Sequence, residues 1–175
     1  MKASQILCPI TMLLGSALGV EMSKYQAQKG VDASFEPFLK ALYAYAEDYK
    51  ATDTFTDFFV PETGQLIVLE HQATGADAIV GLKQALLPTT GKKHWNHVPN
   101  ITSVYSETAT EKIYNVLGLI ESRYDGGNCS AAYRFTVLKD SNGNVLNNPH
   151  SGSLVLYDDY VVSPSESPTD IPCEA

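Results

Sequence analysis

The spacing of apolar residues in this chain divides it into a mostly helical half and a strand half. Between residues 35 and 87 the spacing is mostly helical, and from residue 94 onward it reads as strands. Phe35, Phe38, Leu39, Leu42, Ala46 and Tyr49 fall on one stripe, which predicts a first helix. Ser34 suits its N-cap, and Pro37 fits because a first helical turn has no intrahelical use for the amide that proline lacks. Thr52 or Asp53 opens a short second helix carrying Phe55, Phe58 and Phe59, closed by Pro61. Gly64 resets the period, and residues 66–69 form an apolar run of the length of a short buried strand. A third helix is expected over residues 74–87. Thr74 and Asp77 have the spacing of a capping box, Ile79, Leu82, Ala85 and Leu86 make the stripe, and Pro88 ends it.

Residues 94–105 are rich in β-formers, and residues 112–124 alternate most clearly. One face of that strand holds Asn115, Leu117, Leu119 and Glu121, the other Tyr114, Val116 and Gly118. A turn at 125–127 leads to a strand at 131–138, and a turn at 140–144 to a last strand at 153–162. Three N-terminal helices followed by a run of antiparallel strands make an α+β fold, with helices segregated at one end of a curved sheet.

The N-terminus bounds the compartment. Met1-Lys2 precedes an apolar stretch over residues 6–18, and Ala17-Leu18-Gly19 offers the small residues of a cleavage site. Residues 1–19 are expected to be a signal peptide cut after Gly19, so the protein is expected to be secreted. The stretch is shorter than the roughly 20 residues of a membrane span, and no membrane partner is expected. About 156 residues remain, the size of one domain. Residues 20–33 are polar and lack periodicity, which predicts a loose arm before a domain at 34–162. Residues 163–175 are a Pro/Ser-rich tail. The net charge of −8, with no basic cluster beyond Lys92-Lys93, argues against a nucleic-acid partner. Cys8 leaves with the signal, and Cys129 and Cys173 remain as a pair suited to an oxidising compartment. Their disulfide would close a loop of about 44 residues, worth roughly 4 kcal/mol in the chain-entropy model, and would tether the tail. Asn100-Ile101-Thr102 and Asn128-Cys129-Ser130 are glycosylation sequons, expected to be exposed. Asn100 is the better placed, because a glycan on Asn128 competes for space with a bond at Cys129.

The order of elements resembles the cone-shaped barrel of the NTF2-like superfamily, SnoaL-like branch, over residues 34–162. The likeness rests on the aromatic first helix, the short helix ending Phe58-Phe59, and the strand at 66–69. The third helix leading into His94-Trp95-Asn96-His97-Val98-Pro99-Asn100-Ile101-Thr102 completes it. With secretion added, the chain looks like a fungal secreted SnoaL-like protein. The resemblance implies a sheet curled around a pocket with the first helix as one wall, and a small hydrophobic molecule as partner. Some members are isomerases, cyclases or dehydratases, while others only bind or dimerise through the sheet, so the fold leaves enzyme and binder both open. Tyr45-Ala46-Glu47-Asp48-Tyr49 is similar to the stretch of scytalone dehydratases that supplies a catalytic Tyr, which falls on Tyr49, and the family His falls on His97. Lys50 stands where those enzymes carry Asp, and residues 112–124 hold no second His, so a two-His elimination is not implied.

His97 is the candidate acid/base, since a neutral imidazole exchanges protons near neutral pH. Tyr45 and Tyr49, four residues apart, share a helix face and can hydrogen-bond a ligand oxygen. Trp95 is a candidate pocket floor. Asn115 is a candidate hydrogen-bond partner, and Glu121 a candidate buried carboxylate in phase with Leu117 and Leu119. Core packing remains open for Trp95 and the two tyrosines. Glu47 and Asp48 read as a solvated face, and His150 as an exposed loop residue. His94 and His97 lack further ligands for a metal, and no phosphate loop or nucleophile motif occurs, so no cofactor is expected. Two readings follow: a cofactor-free isomerase, cyclase or lyase, or a non-catalytic secreted binding or effector-like protein. Apolar residues on both faces of residues 112–122 predict a homodimer.

Overall fold

A computed structural model describes residues 20–90, 95–122 and 132–160, and of residues 95, 121 and 122 the backbone only. The elements are β1 (Gln26–Ala27), α1 (Phe35–Glu47), α2 (Asp53–Thr56), β2 (Gln65–Val68), β3 (His71–Thr74), α3 (Ala76–Leu86), β4 (Trp95–Glu107), β5 (Glu111–Ser122), β6 (Ala132–Leu138) and β7 (Leu154–Asp159). They form an α+β fold around one sheet, with strand order β1-β4-β5-β6-β7-β2-β3.

The helical period of α1 buries Phe35, Phe38, Leu39, Leu42, Tyr43 and Ala46. Their partners come from the sheet: Phe35 stacks on Tyr114 of β5 at 3.8 Å between ring centroids, and Tyr133, Phe135, Leu154 and Tyr157 complete the core from β6 and β7. The helix ends at Glu47, two residues before the expected Tyr49. Asp48 turns into extended backbone, and its Oδ1 accepts the Lys50 amide at 2.9 Å. Lys83 of α3 holds this end. Its Nζ donates to the carbonyls of Asp48 and Ala51 at 2.5 and 3.0 Å, and its burial pushes the ammonium pKa down.

Four expectations need correction. The three helices do not form one N-terminal block, because the β2–β3 hairpin precedes α3 and β1 precedes α1. Thr74 closes β3, so the N-cap of α3 is Gly75, without a side-chain cap. The sheet is mixed: β1 runs parallel to β4 and β2 parallel to β7, while the pairs from β4 to β7 are antiparallel. The arm at 20–33 is not loose either. Val20 is 5% exposed within the core cluster, and Met22, Tyr25 and Val31 pack against it.

β4 bends over its partner between Pro99 and Thr102, where the ladder with β5 is interrupted. Gly118 lies opposite Pro99, and a Cβ there would meet the Val98 carbonyl oxygen at 2.5 Å, so only glycine fits beneath the bend. Beyond it, position 97 pairs with Ile120.

Candidate functional site

His97 is 2% exposed, on the sheet face that α1 covers. Its ring stacks on Tyr43 with centroids 4.1 Å apart and planes inclined by 13°. Tyr133 lies 6.0 Å away in a tilted arrangement. Tyr157 presents its hydroxyl 3.4 Å from His97 Nε2, at the outer limit of hydrogen-bond reach. On the other side of the ring, Glu47 Oε1 accepts the backbone N–H of His97 at 2.6 Å and lies 3.0 Å from Nδ1. A carboxylate against Nδ1 favours the tautomer with the proton there, which leaves the Nε2 lone pair on the side of Tyr157.

The periods of helix and strand explain this meeting. Tyr43 lies four residues after Leu39 on the buried stripe of α1, and Glu47 four further on, at the last turn, where the helix reaches the start of β4. The side chain of Glu47 is 10% exposed and faces the interior, contrary to its reading as a solvated residue.

Around this pair the interior is aromatic yet not apolar throughout. Tyr43 and Tyr133 ring centroids are 5.7 Å apart, and Tyr133 and Tyr157 6.2 Å. Asp159, in register with Tyr133 across β6 and β7, is 5% exposed. Burial pushes its carboxyl up to about 7, with a further contribution from the negative charge of Asp158. Burial likewise raises Tyr43, Tyr133 and Tyr157 well above the ordinary phenol value, and the Asp159 charge adds to each. The hydroxyls of Tyr43 and Tyr133 and Oδ1 of Asp159 are buried without a hydrogen-bond partner among the described residues. Such groups are rare in folded proteins because each forfeits its hydration; here the Tyr43 and Tyr133 rings flank His97, and Asp159 stands in register beside Tyr133.

The residues expected from sequence are distributed differently. Tyr49 lies beyond the end of α1, half-buried, with the Lys50 ammonium 5.4 Å from its ring centroid. Tyr45 points away from His97 and packs on Phe58 and His150, at centroid distances of 6.0 and 5.0 Å. A shift of two residues along a helix turns a side chain by more than half a circle, so Tyr43 takes the place foreseen for Tyr45 or Tyr49. Asn115 is on the opposite face of β5 from Tyr114 and Val116, and accepts a hydrogen bond from Tyr160. Backbone pairing sets Trp95 against Ser122 and Glu121 against Asn96; their side chains lie outside the described residues. Asn128, Cys129 and Cys173 also lie outside them. Asn100 is 1% exposed, inside the bend of β4, so its side chain is not where a glycan can sit. Tyr43, Tyr133, Tyr157, Asp159 and the role of Glu47 were missed.

A separate cleft of about 260 Å³ opens on the outside, between α2, the start of α3 and the loop at His150 and Ser151. Among the described residues, no group of three or more His, Cys, Asp or Glu is placed to hold a metal ion, and no helix is long and apolar enough to cross a membrane.

No protein-family model matches the sequence, and no curated protein matches it. Solved structures do match its fold. The orange carotenoid protein of Anabaena (Nostoc), solved binding canthaxanthin, has a TM-score of 0.54 at 15% identity over 94% of this chain and 45% of its own. The chain thus spans less than half the length of the carotenoid proteins it matches. A candidate scytalone dehydratase from Novosphingobium aromaticivorans gives 0.51 at 17% identity, over 74% of this chain and 87% of its own. A Catenulispora acidiphila protein in complex with S-DNPA gives 0.50 at 14%, over 72% and 92%. The structural neighbours are SnoaL-like and NTF2-like proteins, and the likeness is one of fold.

Proposed function

We propose that this chain is a secreted SnoaL-like domain that takes a small apolar ligand into its aromatic interior and moves a proton on it without a cofactor. The observation that carries this reading is the convergence on His97. Glu47 holds Nδ1, Tyr157 faces Nε2, and the hydroxyls of Tyr43 and Tyr133, whose rings flank His97, are buried without partners among the described residues, as is Oδ1 of Asp159 beside Tyr133. Ligands named for fold neighbours, canthaxanthin and S-DNPA, are in keeping with a molecule of this kind.

The chemistry follows from the geometry. His97 Nε2 is the base, its lone pair presented by the Glu47 contact at Nδ1. A phenol, or the protonated carboxyl of Asp159 below about pH 7, donates to the ligand oxygen on which negative charge develops. Aromatic walls exclude water and strengthen both contacts. The pattern suits proton transfer next to a carbonyl, hence an isomerase or cyclase, more than a two-His elimination. A purely binding protein is favoured less, because an apolar ligand alone has no use for polar groups that cost free energy to bury.

Residues 1–19 as signal peptide, Cys129–Cys173 as disulfide and Asn128 as the remaining glycan site belong to the same proposal. So does a homodimer through the outer sheet face. That face carries Ile113, Leu117, the exposed Tyr105, and Arg134 held between the Tyr105 and Tyr160 rings at 4.4 and 4.7 Å.

An NMR titration with 2-tetralone, a flat apolar ketone, tests the site. Resonances of Tyr43, His97 and Tyr133 are expected to move together. Shifts confined to Phe59 and His150, at the outer cleft, would place binding elsewhere and contradict the reading.

A further inference from the structure

Residues 20–32 are built from parts of unequal strength. At the base, Lys112 Nζ donates to the Gly30 carbonyl at 2.8 Å and pairs with Asp32 Oδ2 at 2.7 Å, and Tyr114 donates to the same carboxylate. Gly30 follows the outer part of the arm with φ of +94°, a bend that favours glycine. Further out, β1 adds two residues beside Ile101 and Thr102 of β4, and the Gln28 amide donates to the Thr102 carbonyl at 2.8 Å. Both β1 residues are exposed. At the tip, Val20 is buried in the core cluster, with Met22 and Tyr25 packed against it.

Direction matters here. β1 is parallel to β4, so Tyr25, just before it, lies toward the start of β4, the end that carries His97, and a turn closed by the Tyr25 amide on the Met22 carbonyl at 3.0 Å folds residues 20–22 back beside it. The Tyr25 phenol lies close enough to Tyr43, the ring stacked on His97, to contribute to its raised pKa.

We propose that residues 20–25 are a retractable plug over the His97 end of the interior. An apolar ligand reaches Tyr43 and His97 when Val20 and Met22 withdraw, with Gly30 as the hinge and the Lys112–Asp32 pair as the fixed base. The proposal rests on the reading of the interior as the ligand site. Charge-assisted bonds to the buried Lys112 hold the base, whereas apolar burial and a two-residue ladder hold the tip, so the tip opens first.

Amide hydrogen exchange and stopped-flow binding of Nile red, a neutral apolar dye, test it on the purified protein. The Gln28 amide is expected to exchange about 100-fold faster than the paired amides of β5. Nile red should bind at a rate that levels off with dye concentration, because opening limits it. The double variant Val20→Ser, Met22→Ser should raise that plateau about tenfold, with β5 exchange unchanged. Gln28 exchange as slow as that of β5 would overturn the plug, and it decides the matter even if the variant fails to fold. Equal Nile red rates in both proteins would overturn the plug and leave the ligand site standing. No Nile red binding by either would bring down the ligand-site reading and the plug with it.

Discussion

Burial keeps the Asp159 carboxyl protonated up to about pH 7, against an ordinary value of 3.8. The consequence for stability has a definite sign. A carboxyl whose folded pKa is raised contributes stability that is complete below about pH 4 and is lost as pH climbs through about 7. At about 1.4 kcal/mol per pH unit, the loss is of the order of 4 kcal/mol. Asp32, whose pKa is lowered, works the opposite way, so the test must be differential. Urea unfolding of wild type and Asp159→Asn between pH 4 and 8 isolates it: wild type should lose ground to the variant steadily up to about pH 7, and parallel curves would refute the assignment. Glu47→Gln addresses the other side of the site. It weakens a charge-assisted contact to both N–H groups of His97 and is expected to cost about 1–3 kcal/mol. Nitrogen NMR should show the His97 proton redistributed between Nδ1 and Nε2; an unchanged tautomer would mean that Glu47 does not set it.

Elements repeat to a period, and the period made most of them legible. The stripe of α1, the short phenylalanine-bearing α2, α3 and the strands from β4 to β7 all follow from spacing and turn residues. Tyr43 is legible too, being four residues beyond Leu39, although the family pattern falls on Tyr49. Other features left no local trace. β3 is four residues of mixed polarity, and β1 two exposed residues, both paired only because tertiary structure brings an edge to them. The burial of Glu47 depends on where α1 ends against β4, which spacing within α1 does not reveal. The bend of β4 over Gly118 is a further such meeting. Gly118→Ala forces the Val98 carbonyl away and is expected to cost about 1–3 kcal/mol. Thermal unfolding measures this; an unshifted melting temperature would mean that the bend yields without strain.

At the scale of the whole molecule, one sheet has two differently furnished faces. The inner face joins α1 in the aromatic cluster around His97, and the outer face displays Tyr105 and Arg134. Light scattering at high micromolar concentration is expected to find a homodimer, and a monomer there would remove the proposed interface. On the inner face, His97 is proposed as the base of a proton-transfer site for an apolar carbonyl compound. The most direct measurement is deuterium uptake at the carbon next to the carbonyl of 2-tetralone, in heavy water, with wild type and with His97→Ala. Wild type is expected to accelerate uptake well above the buffer rate, and His97→Ala to bind the ketone still while uptake falls back to that rate. Equal acceleration by both proteins, or none by wild type despite binding, would contradict that role of His97.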